Sequence, residues 1–384
     1  MKNKQIFFMV LVIIQNLVFL SAQQPQNIRH TIAAIEQNKF LGWPANNGVW
    51  QWGDEILVGF TRGDFALNDG HNIAGNQQSL FSRSLDGGET WNMFDPENFL
   101  DSDNEKWLPT GKKYLESPLN FDNKGFAMRV FSTGYHGNED PGGGFYYSYD
   151  RGSTWKGPYY LGDINNHKEL KDKAITARTD YIVTGKKELL IFISSSDGEA
   201  NRLACIKTED GGMSFEFISS ITPAEKSVNT IMSSTVQLSK TKFVLACRKI
   251  FPELKNTKGN RIETYISEDG CLTWKSLSMV KLFESSSNPP ALLNLKDGRL
   301  LCIYGDRHNS RMSGKYSIDE GKTWGDEFII RDNFKDMDSD WDFGYPRLVQ
   351  LKNGKLVAIY YWASPEHPQQ HIEVSIWDPP KNNR

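Results

Sequence analysis

The stretch SLDGGETW, residues 84–91, is the first of five similar segments that decide the fold of this chain. We call the pattern Ser/Thr-x-Asp-x-Gly-x-x-Trp/Phe the turn motif. Its Asp can accept backbone N–H bonds, its Gly permits a positive φ, and its aromatic ring can pack back on the strands, so it predicts a stapled hairpin turn. The other copies, 50 to 65 residues apart, are SYDRGSTW from Ser148, TEDGGMSF from Thr208, SEDGCLTW from Ser267 and SIDEGKTW from Ser317.

Pairs of apolar, strand-like segments alternate with the turn motifs. Six such pairs occur, for example PALLNLKDGRLLCIYGDR at 290–307 and PRLVQLKNGKLVAIYYW at 346–362. Each unit would supply this pair, a third strand that ends in the turn motif and a fourth strand after it. The sequence therefore predicts an all-β fold, a six-bladed β-propeller with four antiparallel strands per blade, as a single domain over residues 23–384.

The sixth unit has no turn motif, so its fourth strand must come from elsewhere. We predict that residues near 27–34 pair with residues 371–377. This pairing would close the ring and leave no exposed sheet edge.

Residues 1–22 have the features of a signal peptide. Lys2 and Lys4 precede an apolar stretch at 6–20, and Ser21 and Ala22 offer a small-residue cleavage site. We therefore expect export to the periplasm or the medium.

The four cysteines of an exported chain could form two disulfides. However, Cys205, Cys247 and Cys302 lie in apolar strand-like runs, where a cysteine usually acts as a small buried hydrophobe. Cys271 lies in a turn. No spacing indicates a metal site, and we expect neither metal nor cofactor.

The composition limits the partners. A formal net charge of -3 argues against nucleic acid or an anionic membrane. Aromatic residues make up 12% of the chain, with 11 Trp, which is typical of sugar-handling proteins and also of β-cores. We expect a monomer that acts on a sugar.

The turn motifs and strand pairs together resemble the sialidase (neuraminidase) superfamily of BNR-repeat proteins, over nearly the whole mature chain. The resemblance implies a site at the propeller axis in which three arginines hold a carboxylate, a Glu activates a Tyr nucleophile, and an Asp is the acid/base. GYPRLVQL corresponds to the family's Tyr segment and implies Tyr345. FVLACRK implies Arg248 as one arginine, and GDRHNSRMSGKYS implies Arg307 or Arg311 as another.

Two departures from the family pattern stand beside these matches. GWPANNG replaces the first-blade Arg-Ile-Pro stretch, so Trp43 stands near the position of the first arginine. The family's Glu falls on Met232. The Asp of the first-blade loop can survive as Asp64 or Asp69. Because two of the three defining features are absent, the sequence does not predict a sialidase.

The residues expected at the axial cleft are rich in arginine, which indicates an anionic ligand. Any one arginine could instead form a salt bridge at the rim, but several end equivalent strands and would converge on the axis. Tyr345 and Arg347 stand two apart and are expected to share a face. The predicted substrate-binding residues are Arg62, Arg178, Arg248, Arg307, Arg311, Arg347, Trp43 and Trp362, and Trp50 is a further stacking candidate.

An acidic sugar held by arginines suggests elimination from a uronic acid. The arginines would neutralise the carboxylate, Tyr345 would exchange a proton, and His71 or His136 would be its partner, giving a lyase or dehydratase. Glycine-rich loops carry both histidines, so each could also be merely solvated. The alternatives are sialidase-like exo-glycosidase hydrolysis, with Asp64 or Asp69 as the acid but no evident second carboxylate, and a non-catalytic sugar-binding propeller. We expect a secreted enzyme of polysaccharide breakdown that acts on acidic oligosaccharides.

Overall fold

The computed structural model describes residues 25–96, 99, 111–133, 140–198, 200–252, 259–335 and 341–382. The regular secondary structure of this part of the chain is almost entirely β-strand, with a four-residue α-helix, α1 (Pro44–Asn47), and a three-residue 3-10 helix at Ile164–Asn166. The predicted all-β fold is therefore confirmed. The predicted signal peptide and His136 lie outside the described residues. None of the helices that the described ranges contain is long and apolar enough to cross a membrane.

The strands form five hydrogen-bonded sheets, and one of these, of eight strands, divides into two antiparallel groups joined by a single parallel bridge between Asn201 and Asn229, so that six groups follow one another along the chain. The first three groups are β2 (Lys39–Gly42), β3 (Val49–Trp52), β4 (Glu55–Phe65), β5 (Ile73–Ser84) and β6 (Asn92–Phe94); β7 (Ala127–Thr133), β8 (Asp140–Ser148) and β9 (Lys156–Tyr159); and β10 (Ala174–Gly185), β11 (Glu188–Ser196), β12 (Asn201–Thr208) and β13 (Glu216–Ser220).

The last three groups contain four strands each. They are β14 (Asn229–Gln237), β15 (Phe243–Ile250), β16 (Arg261–Ser267) and β17 (Lys275–Leu282); β18 (Ala291–Asn294), β19 (Leu300–Asp306), β20 (Arg311–Ser317) and β21 (Phe328–Arg331); and β22 (Gly344–Gln350), β23 (Leu356–Trp362) and β24 (His371–Asp378) with the N-terminal strand β1 (Gln26–Ala34).

The N-terminal strand completes the last sheet, as the sequence predicts. β1 pairs antiparallel with β24, and Thr31 lies opposite Val374. The hydroxyl of Thr31 also donates a 2.8 Å hydrogen bond to the carbonyl of Gly88 in the first turn motif. The start and the end of the chain are therefore held in one sheet.

The first strands of the third to sixth groups pack against one another around the middle of the molecule. β10, β14, β18 and β22 contact one another in sequence, and β22 in turn contacts α1 and β3 of the first group. These strands surround an axis, and their N-terminal ends form a mouth at one end of it. That each group is one blade of a six-bladed ring stays a prediction.

The turn motifs have the predicted geometry. In the first copy, the Asp86 carboxylate accepts bonds from the backbone N–H and the hydroxyl of Thr90, and the Ser84 hydroxyl accepts the N–H of Gly88. The Trp91 indole donates back to the Gly88 carbonyl. One copy departs from the pattern, because Cys271 occupies the position of Gly88 and still adopts a φ of 72°.

Candidate active site

A short loop before β18 gathers the side chains at the mouth. Ser287 forms an isolated β-bridge with Asp306 at the end of β19, which fixes the loop against that strand. Asn288 accepts a 3.0 Å bond from the Tyr345 backbone N–H and donates a 3.2 Å bond to the Phe343 carbonyl. The loop thus ties the fifth strand group to the start of β22.

Tyr345 lies in a β-bulge at the start of β22. Between the pairs Gly344–Tyr361 and Arg347–Ile359, β22 has one residue more than β23. Tyr345 adopts a φ of 50°, and its side chain turns into the mouth, 4% exposed. No hydrogen-bond partner of its hydroxyl lies among the residues that the structure describes.

His71 reaches the mouth from the loop between β4 and β5. Its Nδ1 lies 2.6 Å from Oδ1 of Asp342, and its ring centre lies 6.1 Å from that of Tyr345. In the neutral imidazole, Nδ1 carries the proton that Asp342 accepts, so Nε2 is an unprotonated acceptor. The His71 side chain is 28% exposed, which leaves it accessible to a ligand.

Asp342 is almost completely buried, and its carboxylate accepts hydrogen bonds from several donors. Besides His71, it accepts the Tyr361 hydroxyl at 2.6 Å and the Asn72 backbone N–H at 2.8 Å. Burial alone would raise the pKa of Asp342, but the hydrogen bond and charge of His71 and the charge of Arg307 hold it below its usual value. Asp342 therefore stays ionised and orients the imidazole.

Arg307 follows β19 and is 6% exposed. Its guanidinium donates to the Ser286 hydroxyl, the Phe343 carbonyl and the Tyr361 hydroxyl at 3.1 to 3.3 Å. All these acceptors are neutral, so within the described part of the chain no carboxylate forms an ion pair with Arg307. Its positive charge acts through space on Asp342, whose pKa it lowers, without a direct ion pair.

Arg248, on β15, lies next to the same loop. Its Nε donates to the Ser287 hydroxyl at 3.2 Å, and its Nη1 lies 3.7 Å from the sulfur of Met232. Met232 adopts a φ of 59° in a bulge of β14, the counterpart of the Tyr345 bulge. The position that corresponds to the sialidase Glu therefore lies in a bulge like that of Tyr345, but its side chain is a thioether.

Two tryptophans flank these groups. The Trp43 ring centre lies 4.9 Å from that of His71, and the Trp341 ring lies 6.0 Å from it. The Arg307 guanidinium carbon lies 4.4 Å from the Trp341 ring centre. Such faces suit the apolar side of a sugar ring. We call the central residues the mouth cluster: His71, Arg248, Arg307, Asp342, Tyr345 and Tyr361.

Several predicted site residues lie elsewhere. Arg62 donates to Glu36 at 2.7 Å, and exposed Asp64 pairs with Lys39. Arg311 pairs with Glu327. These arginines therefore form the salt bridges that were the alternative to a site. Asp69 lies exposed two residues before His71, and Arg178 is half-buried in an irregular part of β10.

Arg347 does not share a face with Tyr345, because the bulge breaks the two-residue alternation. It is half-buried and donates to the carbonyls of Ala45 and Thr179. It lines a separate cavity of about 340 Å³ together with Asp180. Burial raises the pKa of Asp180 despite the nearby Arg347 charge. Arg347 is therefore part of the interior and not of the mouth cluster.

The two remaining tryptophan predictions are corrected as well. Trp362 is 0% exposed and packs against Phe334 and Phe343 in the core. The strand alternation of β23 instead directs its neighbour Tyr361 to the mouth. Trp50 is buried and donates to the Tyr181 hydroxyl at 3.1 Å. Neither ring therefore contacts the residues at the mouth.

The sequence reasoning missed Asp342 and Tyr361. Asp342 lies three residues before Tyr345, and a loop carboxylate next to a predicted catalytic Tyr was the signal that could have found it. Tyr361 lies near the end of the second strand of its group, as Arg248 does on β15. Within the described ranges, no group of three or more His, Cys, Asp or Glu could hold a metal ion.

The sequence matches the family described as BNR repeat-like domain over residues 110–358. The chain belongs to this family. No curated protein sequence matches this BNR repeat-like protein.

Solved structures share the fold of this BNR repeat-like protein. A Dyadobacter fermentans protein of unknown function has 20% identity and a TM-score of 0.66, with 91% of this chain and 99% of that chain covered. The GH93 α-L-arabinofuranosidase of Fusarium graminearum, in complex with arabinobiose, has 12% identity and a TM-score of 0.55, with 90% and 98% covered. A Hadza microbial sialidase has 17% identity and a TM-score of 0.59, with 88% and 66% covered. These likenesses confirm the sialidase-like propeller fold.

Proposed function

We propose that this protein is an exported carbohydrate-active enzyme that eliminates across a uronic acid of an acidic oligosaccharide. The observation that carries the proposal is the bond from His71 to ionised Asp342, which leaves the imidazole Nε2 facing the mouth beside the uncommitted Tyr345 hydroxyl. Two groups that can exchange protons thus lie next to the cations Arg248 and Arg307.

The arginines support an acidic substrate. Arg307 donates only to neutral acceptors, so a substrate carboxylate would gain a charge-assisted bond that the protein itself does not supply. A neutralised uronate carboxylate makes the neighbouring C5–H more acidic, because the negative charge that develops next to it is stabilised. Binding and activation would therefore use the same residues.

The elimination requires two proton transfers, and His71 and Tyr345 can account for both. Nε2 of His71 takes the proton from C5, the electron pair of that bond forms the C4–C5 double bond, and the C4–O bond breaks. The Tyr345 hydroxyl donates its proton to the departing oxygen. The leaving group is a sugar in a lyase and a hydroxyl, released as water, in a dehydratase.

Hydrolysis is the second candidate, since solved structures with this fold include sialidases and an arabinofuranosidase. Glycoside hydrolysis generally uses a pair of carboxylates. In the described part of the mouth cluster, Asp342 is the sole carboxylate, and it is committed to three donors. Met232 also stands where the family's Glu would activate the Tyr. Elimination therefore fits the residues better.

The test is to incubate the purified protein with uronate-containing, sialylated and arabinan oligosaccharides and to follow ultraviolet absorbance and product mass together. Elimination yields an unsaturated, absorbing product, and lyase products sum to the substrate mass. Hydrolysis adds one water mass and no absorbance. Binding without conversion of any substrate would favour the non-catalytic propeller and contradict the proposal.

A further inference from the structure

The fourth turn motif differs from the others at one position. In the other motifs, the fifth residue is Gly88, Gly152, Gly212 or Gly321, each with a φ between 78° and 96°. Cys271 occupies this position with a φ of 72°. A left-handed conformation is unfavourable for a residue with a Cβ atom, so a specific use of the thiol would explain its presence here.

A side chain at the fifth position of the motif would face a neighbouring strand group, which is the preceding group along the chain or, for the first group, the last one. A Cβ atom on Gly88 would lie 3.3 Å from Ile376 on β24, and one on Gly212 would lie 3.8 Å from Phe145 on β8. Phe145 stands three residues before the turn motif of its own group. The residue at the same place in the third group is Cys205, three residues before Thr208.

Contacts agree with this alignment. In the structure Cys205 and Cys271 are both free, buried thiols. Ser219, which pairs with Cys205 across β12 and β13, donates a 2.6 Å hydrogen bond to the Cys271 carbonyl. Both cysteines are 0% exposed in one apolar cluster, which also contains Cys247.

We propose that Cys205 and Cys271 form a disulfide bond that fastens the third strand group to the fourth. Each thiol gives up a proton, the sulfur–sulfur bond forms, and two electrons reduce the disulfide of an oxidant such as oxidised glutathione to two thiols. Burial raises the pKa of Cys205, which slows thiolate chemistry in the folded protein. The bond therefore forms during folding, before the strand groups close, and is then protected from reductants.

The test is to refold the full chain with oxidised glutathione, denature it without reductant, alkylate it and map the peptides. The expected result is alkylation at Cys247 and Cys302 alone, with one cross-linked pair that joins Cys205 to Cys271. Cys302→Ala, in a different cluster, should keep this cross-link. Alkylation of all four cysteines, or a bond between Cys205 and Cys247, would overturn the proposal.

A second measurement uses thermal unfolding. Reductant should lower the midpoint of the oxidised wild type by roughly 5 °C or more. Cys271→Gly restores the residue of the other motifs, so this variant should fold and its midpoint should not respond to reductant. A wild-type midpoint that is the same with and without reductant would contradict a stabilising cross-link.

Discussion

At the scale of single residues, Tyr345 and Met232 carry the same backbone strain. Each non-glycine residue has a positive φ in a bulge at the mouth end of its strand. Such conformations cost about 1–3 kcal/mol and persist where the surrounding structure enforces them. The two strained positions lie in equivalent bulges of β14 and β22, so the backbone itself shapes this end of the axis.

Tyr345→Phe tests the phenol. The variant keeps the ring and its packing. Among the described residues the Tyr345 hydroxyl has no hydrogen-bond partner, so the free energy of unfolding should change by less than about 1 kcal/mol. The loss of a proton-transfer group should lower kcat about 100-fold or more with little change in KM. The matched control is Tyr114→Phe at an exposed site. Full activity of Tyr345→Phe would show that the phenol only lines the pocket.

Asp342→Asn tests the positioning of His71. The folded-state pKa of Asp342 lies below its usual value, so the carboxylate stabilises the protein above about pH 4, and this contribution is lost as the pH falls through the lowered pKa. We expect the variant to be about 1–3 kcal/mol less stable at pH 7, with a difference that shrinks in acid.

The same variant should lower kcat and alter its pH profile, because the imidazole loses its ionised acceptor. Tyr361→Phe, which leaves the His71–Asp342 bond in place, should have the smaller effect on the profile. An unaltered kcat profile in Asp342→Asn would mean that the carboxylate has only a structural role.

Arg248 and Arg347 should respond differently to removal. Arg248→Ala should raise KM for an acidic oligosaccharide at least 10-fold, since a charge-assisted bond contributes about 1.5–3 kcal/mol. Arg347→Met leaves two buried carbonyls without their donor and should cost roughly 3 kcal/mol of stability while KM stays unchanged. Urea unfolding and steady-state kinetics of both variants separate the roles. An equal rise in KM for acidic and neutral substrates on going from the wild type to Arg248→Ala would contradict its assignment.

At the scale of elements, features that follow from regular strand alternation and repeated turns could be predicted from the sequence. Features that follow from a bulge, where the alternation of side chains is interrupted, could not. The turn motifs and the pairing of β1 with β24 follow from local patterns. Arg347 was misplaced because one extra residue in β22 reverses the face of every residue after it. A bulge of this kind depends on tertiary bonds such as that from Asn288 and has no local signature.

The pairing of β1 with β24 should support the stability of the whole molecule. Removal of residues 1–34 would expose the β24 edge, so we expect a much lower midpoint of thermal unfolding and aggregation during size-exclusion chromatography. A chain that lacks only residues 1–24 is the control, because it keeps β1, and it should retain the higher midpoint and elute as a single species. Equal midpoints for the two truncations would show that β1 does not close the fold.

At the scale of the whole molecule, three residues that the resemblance implied come together, but the resemblance did not name all of their neighbours. Tyr345, Arg248 and Arg307 meet because the loop at Ser287 gathers ends of separate strand groups. Asp342 could not be paired with His71 from the sequence, because 271 residues separate them and only the closed arrangement brings them together.

The central claim is that the mouth cluster removes the C5 proton of a uronic acid. Its most direct test uses an oligosaccharide that is deuterated at C5 of the uronate and follows rate and product mass with the wild-type protein. The account predicts slower turnover than with the unlabelled substrate and an unsaturated product without the deuterium. A saturated product that keeps the deuterium and contains one added water would contradict elimination and establish hydrolysis.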